Sequence, residues 1–292
     1  METFAGYCTV ELVDDSSGMV LPMAIMYPTS AAEKTESVGP YRLNVSTHAA
    51  PKNGAFPLVL ISHGSGVSHM AHCTLSRHLA RNGFIVGMPE HPFNNDRDNR
   101  LQGTTENLIY RPRHLRAAAD WFFDSAFAAC LRPDAVSIIG HSLGGYTALA
   151  LAGGVPTSLL HEAEDGLPRR IQFAPDHRIK ALVLLAPATV WFTSAGALSE
   201  VKVPILMLAA EKDEYTPLAL HAKLVMDGVP DQTKVQQRIV ENAGHFSFLS
   251  PFPEPMTSAE SALSQDPAGF DRKRFHDELN AEVLAFLSRQ TG

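Results

Sequence analysis

The chain alternates short blocks of continuous apolar residues with longer stretches of mixed polarity. LVLIS at 58–62, FIVGM at 84–88, AVSII at 135–139, ALVLLA at 181–186 and PILMLAA at 204–210 are uninterrupted and strand-sized. Such runs belong to strands covered on both faces. Between them, apolar residues recur three and four apart, as Leu75 and Leu79 do in 74–82 before Gly83. The same spacing occurs in 113–127 (Leu115, Ala119, Phe122, Phe123) and in 270–289 (Phe275, Leu279, Val283, Phe286). It predicts helices with one buried face. Further helices are expected after residue 142 to about 152 and around 217–226. A less regular strand is expected in VQQRIVENAGH, 235–245.

At the start, 7–13 and 20–27 predict two antiparallel strands joined around Asp14–Gly18. Residues 28–56, rich in Pro, Ser, Ala and Gly, predict a surface segment without regular structure. Alternating strands and helices imply an α/β architecture, a mostly parallel central sheet with helices on both faces. Ligands of such sheets bind beyond the carboxyl ends of the strands. No linker, repeat or low-complexity run divides the chain, so residues 1–292 are expected to form one domain. Loop insertions near 89–110, 153–175, 187–199 and 250–269 are expected to shape the site.

Composition narrows the function. With 45% hydrophobic and 19% charged residues, the chain can bury a sizeable core. A formal charge of −7 and a pI near 6.0 argue against nucleic acid and against docking on anionic membranes. No apolar run is long enough to span a membrane. The N-terminal METFAGYCTVELVDD lacks a basic region followed by an apolar core, so no signal peptide is expected. Cys8, Cys73 and Cys130 are odd in number and widely spaced, which points to reduced thiols in the cytoplasm. The sequence leaves room for a homo-oligomer.

Candidate chemistry centres on Ser137–Tyr146, read SIIGHSLGGY. An apolar strand running into Gly140-His141-Ser142-Leu143-Gly144 and then an Ala- and Leu-rich helix is the pattern of a nucleophile elbow. Its tight turn pushes the serine hydroxyl out of the sheet edge. A serine needs a base and a group that orients the base, and in such sites the acid and then the histidine follow in chain order. PILMLAA ends in Glu211-Lys212-Asp213-Glu214, where Asp213 is preferred because it lies in the turn before the helix begun at Thr216-Pro217. His245 follows a glycine at a later strand end. The backbone N–H groups of Leu143 and of Ser65, in Ser62-His63-Gly64-Ser65-Gly66, are the expected oxyanion donors. His63, His69, His72, His78, His91 and Cys73 cluster in sequence but show neither H-E-x-x-H nor C-x-x-C spacing. Neither metal nor cofactor is expected.

SHGSG, RNGFIVGMPEHPFNN, RPRHLRAAADW, GHSLGGYTAL and NAGHFSFLSPFPEP together resemble the α/β-hydrolase superfamily. Within it they are similar to bacterial proteins described as predicted dienelactone hydrolases, akin to platelet-activating-factor acetylhydrolases. The resemblance runs from about Leu58 to the last helix. It implies the α/β-hydrolase fold, Ser142 as nucleophile, His245 as base and Ser65 with Leu143 at the oxyanion hole. There is one departure. In the platelet-activating-factor enzymes the acid follows the strand just after the nucleophile's helix, whereas no carboxylate occurs here between Ala181 and Ser199. The acid then falls to Asp213, and transfer of phospholipid specificity is weakened. True dienelactone hydrolases differ too, using a cysteine nucleophile.

The expectation is a serine hydrolase that cleaves a small-molecule carboxylic ester through an acyl-serine intermediate. The same groups would serve an amidase, a thioesterase or an acyltransferase, and a non-catalytic ligand-binding protein on this fold is the competing class. His63, His141, Trp191, Phe192 and Phe246 are expected to line the substrate site, with Phe248 as a further apolar wall.

Overall fold

The computed structural model describes residues 2–14, 17–258 and 260–291. The expected link around Asp14–Gly18 includes residues 15 and 16, which lie outside the described residues. Among the described residues ten strands form one sheet, in the order β10-β9-β8-β7-β5-β6-β2-β1-β4-β3. These are β1 (Phe4–Asp14), β2 (Met19–Thr29), β3 (Lys34–Val38), β4 (Tyr41–Thr47), β5 (Phe56–Ser62), β6 (Ile85–Pro89), β7 (Leu131–His141), β8 (Ile179–Leu185), β9 (Ile205–Ala210) and β10 (Val235–Val240). From β6 to β10 every neighbouring pair is parallel, while β2 runs antiparallel to β6 and β1 antiparallel to β2.

The pleat explains why the central runs are apolar throughout. On β5, Leu58 and Leu60 enter one core and Val59 and Ile61 the other. On β8, Leu182 and Leu184 alternate in the same way with Ala181, Val183 and Leu185. The first core is closed by α2 (Thr105–Asp124), α3 (Leu143–Leu151) and α4 (Ala222–Gly228). The second is closed by α1 (Cys73–Arg81) and α5 (Arg272–Thr291), whose Phe275, Leu279, Val283 and Phe286 are the stripe read from the sequence. A strand buried on both faces has no polar side to offer.

Two stretches differ most from expectation, and a smaller shift falls on α4, which begins at Ala222 after a turn over 218–221 rather than at Thr216-Pro217. Residues 28–56 hold the hairpin β3–β4, whose turn uses Gly39 at φ +56°. Tyr41, Leu43 and Val45 alternate inward with exposed partners, a half-buried edge pattern hidden by the surrounding turn-forming residues. The second is α2, which begins at Thr105 rather than Arg113. Thr104 caps it, its hydroxyl accepting from the Asn107 N–H at 3.2 Å. Pro112 sits inside the helix and has no N–H for the Leu108 carbonyl. The Tyr146 hydroxyl takes that place, donating to Leu108 O at 2.9 Å. A proline there reads as a helix start, and a tyrosine on α3 makes it a helix interior.

Candidate active site

The C-terminal ends of β5, β7, β9 and β10 deliver Ser65, Ser142, Asp213 and His245 to one edge of the sheet. Ser142 occupies φ +52°, ψ −119°, a region that non-glycine residues avoid and functional sites tolerate. Close packing forces that turn. A Cβ on Gly140 would strike the Gly144 carbonyl, and one on Gly144 would strike the Ser62 carbonyl. The strained residue is fastened on both sides. Its N–H donates to Leu185 O at 3.0 Å, and its carbonyl accepts from Gly145 and Ala188, each at 2.9 Å.

Three side chains form a continuous relay. His245 Nε2 lies 2.9 Å from Ser142 Oγ, and His245 Nδ1 lies 2.8 Å from Asp213 Oδ2. Ionised Asp213 only accepts, so Nδ1 carries the proton and Nε2 is left free to accept from the serine. Asp213 Oδ1 also accepts from the N–H groups of Tyr215 at 2.9 Å and Thr216 at 2.7 Å, and Oδ2 from the Thr216 hydroxyl at 2.7 Å. Burial pushes the Asp213 carboxyl up, but the bonds from His245 and Thr216 and the attraction of His245 outweigh it and hold it at about 2. Glu211 and Glu214 remain exposed, and Glu211 accepts instead from the Asn242 N–H at 2.7 Å.

Ser65 and Leu143 both border the space in front of Ser142, and among the described residues no acceptor takes either N–H. The loop carrying Ser65 is held from behind by Arg111, which is fully buried. Its guanidinium donates to the His63 carbonyl, to Asn94 Oδ1 at 2.6 Å, to Thr147 Oγ1 at 3.1 Å and to Ser62 Oγ at 3.3 Å. Asn94 in turn donates to Ser65 Oγ at 2.9 Å. All these acceptors are neutral. Burial lowers the Arg111 pKa to about 9, partly offset by Tyr146, so the group stays charged at neutral pH.

The remaining expected residues separate. Trp191 lines the cavity in front of Ser142. His63 and His141 are fully buried and do not. His63 accepts from the His91 N–H at 3.0 Å and bonds the Gly64 carbonyl at 2.8 Å, bracing the oxyanion loop. His141 Nε2 bonds the His245 carbonyl at 3.1 Å from beneath. Phe192 packs in the core against Tyr146, and Phe248 is likewise buried. Phe246 stands outside the cavity, its ring edge-on to those of His245 and Tyr215. No described residue of 250–269 lines the cavity. That segment supports the His245 loop, with Ser247 Oγ donating to Asp266 at 2.7 Å and Arg272 clamping the same carboxylate.

The cavity has a volume of about 390 Å³. Its walls come from Gln102, Thr104, Asn107 and Leu108, from Leu159, His161 and Glu162, and from Ala188, Val190 and Trp191. Tyr215, Thr216 and His221 close it on the acid's side. A larger space of about 680 Å³ lies against Arg113, Arg116 and Trp121 of α2, and none of the three relay residues lines it. Among the described residues, no group of three His, Cys, Asp or Glu side chains could hold a metal ion, and no helix is long and apolar enough to cross a membrane.

A serine in a glycine-flanked strand-to-helix turn, on a mostly parallel sheet with helices on both faces, defines the class. The chain has the α/β-hydrolase fold. A family model described as Chlorophyllase matches residues 24–163, a span that holds Ser65 and Ser142 and stops before Asp213 and His245. Cutinase est2 of Thermobifida alba is 25% identical over 199 residues, covering 67% of this chain and 55% of the relative. Cutinase 2 of Thermobifida cellulosilytica is 24% identical, covering 67% and 63%. A bis(hydroxyethyl) terephthalate hydrolase of Streptomyces coelicolor is 26% identical, covering 67% and 52%. The matches thus span between about half and three-fifths of these relatives' lengths. The structure of a ferulic acid esterase from Streptomyces cinnamoneus superimposes with a TM-score of 0.71 at 18% identity, covering 99% of this chain and 90% of that one.

Proposed function

We propose that this protein is a carboxylic ester hydrolase working through an acyl-serine intermediate. The observation that carries this reading is the unbroken relay from Asp213 through His245 to Ser142, beside two free N–H groups. In this mechanism His245 takes the Ser142 proton as Oγ attacks the ester carbonyl, and the tetrahedral oxyanion is held by Ser65 N–H and Leu143 N–H. His245 then protonates the leaving alcohol, and water repeats the sequence to release the acid. The similarity to proteins named cutinase and bis(hydroxyethyl) terephthalate hydrolase supports the ester class.

A panel of short-chain p-nitrophenyl esters and the matching thioesters and amides tests the reading. Wild type is expected to hydrolyse the esters and to be labelled at Ser142 by a fluorophosphonate, while Ser142→Ala does neither. Folded wild-type protein that resists the probe and leaves every ester intact would point to the binding-protein class instead.

A further inference from the structure

The cavity in front of Ser142 is lined by a buried carboxylate and by no lysine or arginine. Glu162 is only 6% exposed, in a turn between β7 and β8. Both its oxygens accept from the Trp191 indole N–H at 2.9 Å, and Oε2 accepts from the Leu159 N–H at 2.7 Å. These neutral donors satisfy the carboxylate without cancelling its charge. Among the described residues Glu162 has no ion pair, and neither Lys nor Arg lines the cavity. His221, on the opposite wall, accepts from the Thr189 N–H at 3.0 Å, and burial outweighs Asp213 in keeping it neutral. His161 is exposed at the rim. The Arg111 charge sits behind the oxyanion loop and does not reach the cavity surface.

We propose that this cavity sorts esters by the charge of the group it holds, preferring an ammonium, admitting an uncharged group and refusing a carboxylate. A second carboxylate brought beside Glu162 in a partly dehydrated space meets like charge with no cation lining that space to pair with it. An ammonium there gains the Glu162 charge and sits in a space bordered by the rings of Trp191 and Tyr215, aromatic groups that favour a cation where it reaches their faces. The substrate class is therefore an ester with a cationic or neutral end. This rests on the esterase reading above.

The test uses two series of esters, because either the acyl or the alcohol part can occupy the cavity. One is p-nitrophenyl esters whose acyl chains end in methyl, trimethylammonium or carboxylate. The other is butanoate esters of alcohols with the same three ends. In at least one series, wild-type kcat/KM is expected to favour the ammonium over the carboxylate by on the order of tenfold or more. Glu162→Gln, which keeps an oxygen for the indole N–H, is expected to shrink that ratio by about tenfold, and a ratio cancels any general loss of activity. An undiminished ratio in the folded variant would assign the preference to the overall charge of −7 and overturn the proposal. So would a wild-type ratio near one in both series. If the variant does not fold, the wild-type ratio at high salt decides, since a buried charge is screened little and surface charge strongly. A ratio that survives supports the cavity charge, and one that collapses overturns it. Failure to cleave any neutral ester would instead count against the esterase reading.

Discussion

Asp213 is chosen over its neighbours by local turn chemistry. Its carboxylate gathers the Tyr215 and Thr216 N–H groups and the Thr216 hydroxyl, leaving one oxygen facing His245 Nδ1. Replacing it by asparagine keeps the shape but lets the amide favour the wrong imidazole tautomer. Asp213→Asn is therefore expected to lower kcat by roughly 10³–10⁴-fold, while Glu211→Gln and Glu214→Gln change it by less than about threefold, as steady-state kinetics will show. Ser142, Asp213 and His245 were legible because each sits in a turn whose own residues announce it: glycines two before and two after the serine, an Asx-type turn at D-E-Y-T, a glycine before the histidine. Arg111 and Glu162 were not. A charged residue in a helix or a loop ordinarily marks a solvated face, and no spacing in the sequence says that neighbours from other segments will bury it.

At the scale of elements, α2 shows how one segment's identity is decided by another. Its first turns hold Asn107 and Leu108 against the cavity and then Arg111 against the oxyanion loop. The proline that follows breaks the helical bond to Leu108 O, and Tyr146 repairs it. Tyr146→Phe leaves that buried carbonyl unpaired and is expected to cost about 1–3 kcal/mol, measurable by urea unfolding. The polar pattern of 89–110 concealed the start of this helix, because Thr104 and Glu106 read as loop residues until their capping and first-turn positions are known. The hairpin β3–β4 was hidden for a related reason. Edge strands bury one side only, and their polar alternates dilute the apolar signal. The central strands were plain because both their faces are covered.

For the whole molecule, buried histidines set the response to acid. His63, His72, His91, His114, His141 and His276 are all held below their ordinary values, chiefly by burial, with His72 and His114 at about 3 and His276 at about 4. Each stays neutral in the folded chain and takes a proton once unfolded. Their contribution is complete above pH about 6.5 and is lost as pH falls below it, at about 1.4 kcal/mol per pH unit for each residue, until the folded value is reached. Asp213 shifts in the same direction and adds its loss only below pH about 4. Thermal unfolding is expected to show a steep drop in Tm between pH 6.5 and about 5. His72→Phe, at a ring that contacts His141 edge-on, should flatten the dependence by one proton. A Tm that stays level across this range would contradict the assignment.

The three relay residues also leave the ribosome at different times. Ser142 precedes His245 by 103 positions, and at about 5–20 residues per second the growing chain carries its serine for about 5–20 s before the histidine is made. β5 and β7 are synthesised by the start of that interval and α3 soon after, so the elbow can form, while β8, β9 and β10 follow in turn and His245 comes after all of them. Ser142 can then hold its strained turn beside the Ser65 loop, with the imidazole that faces its hydroxyl still to be made. In the proposed mechanism the serine therefore gains its base only after the last strand of the sheet is made, which makes synthesis itself the step that would arm it.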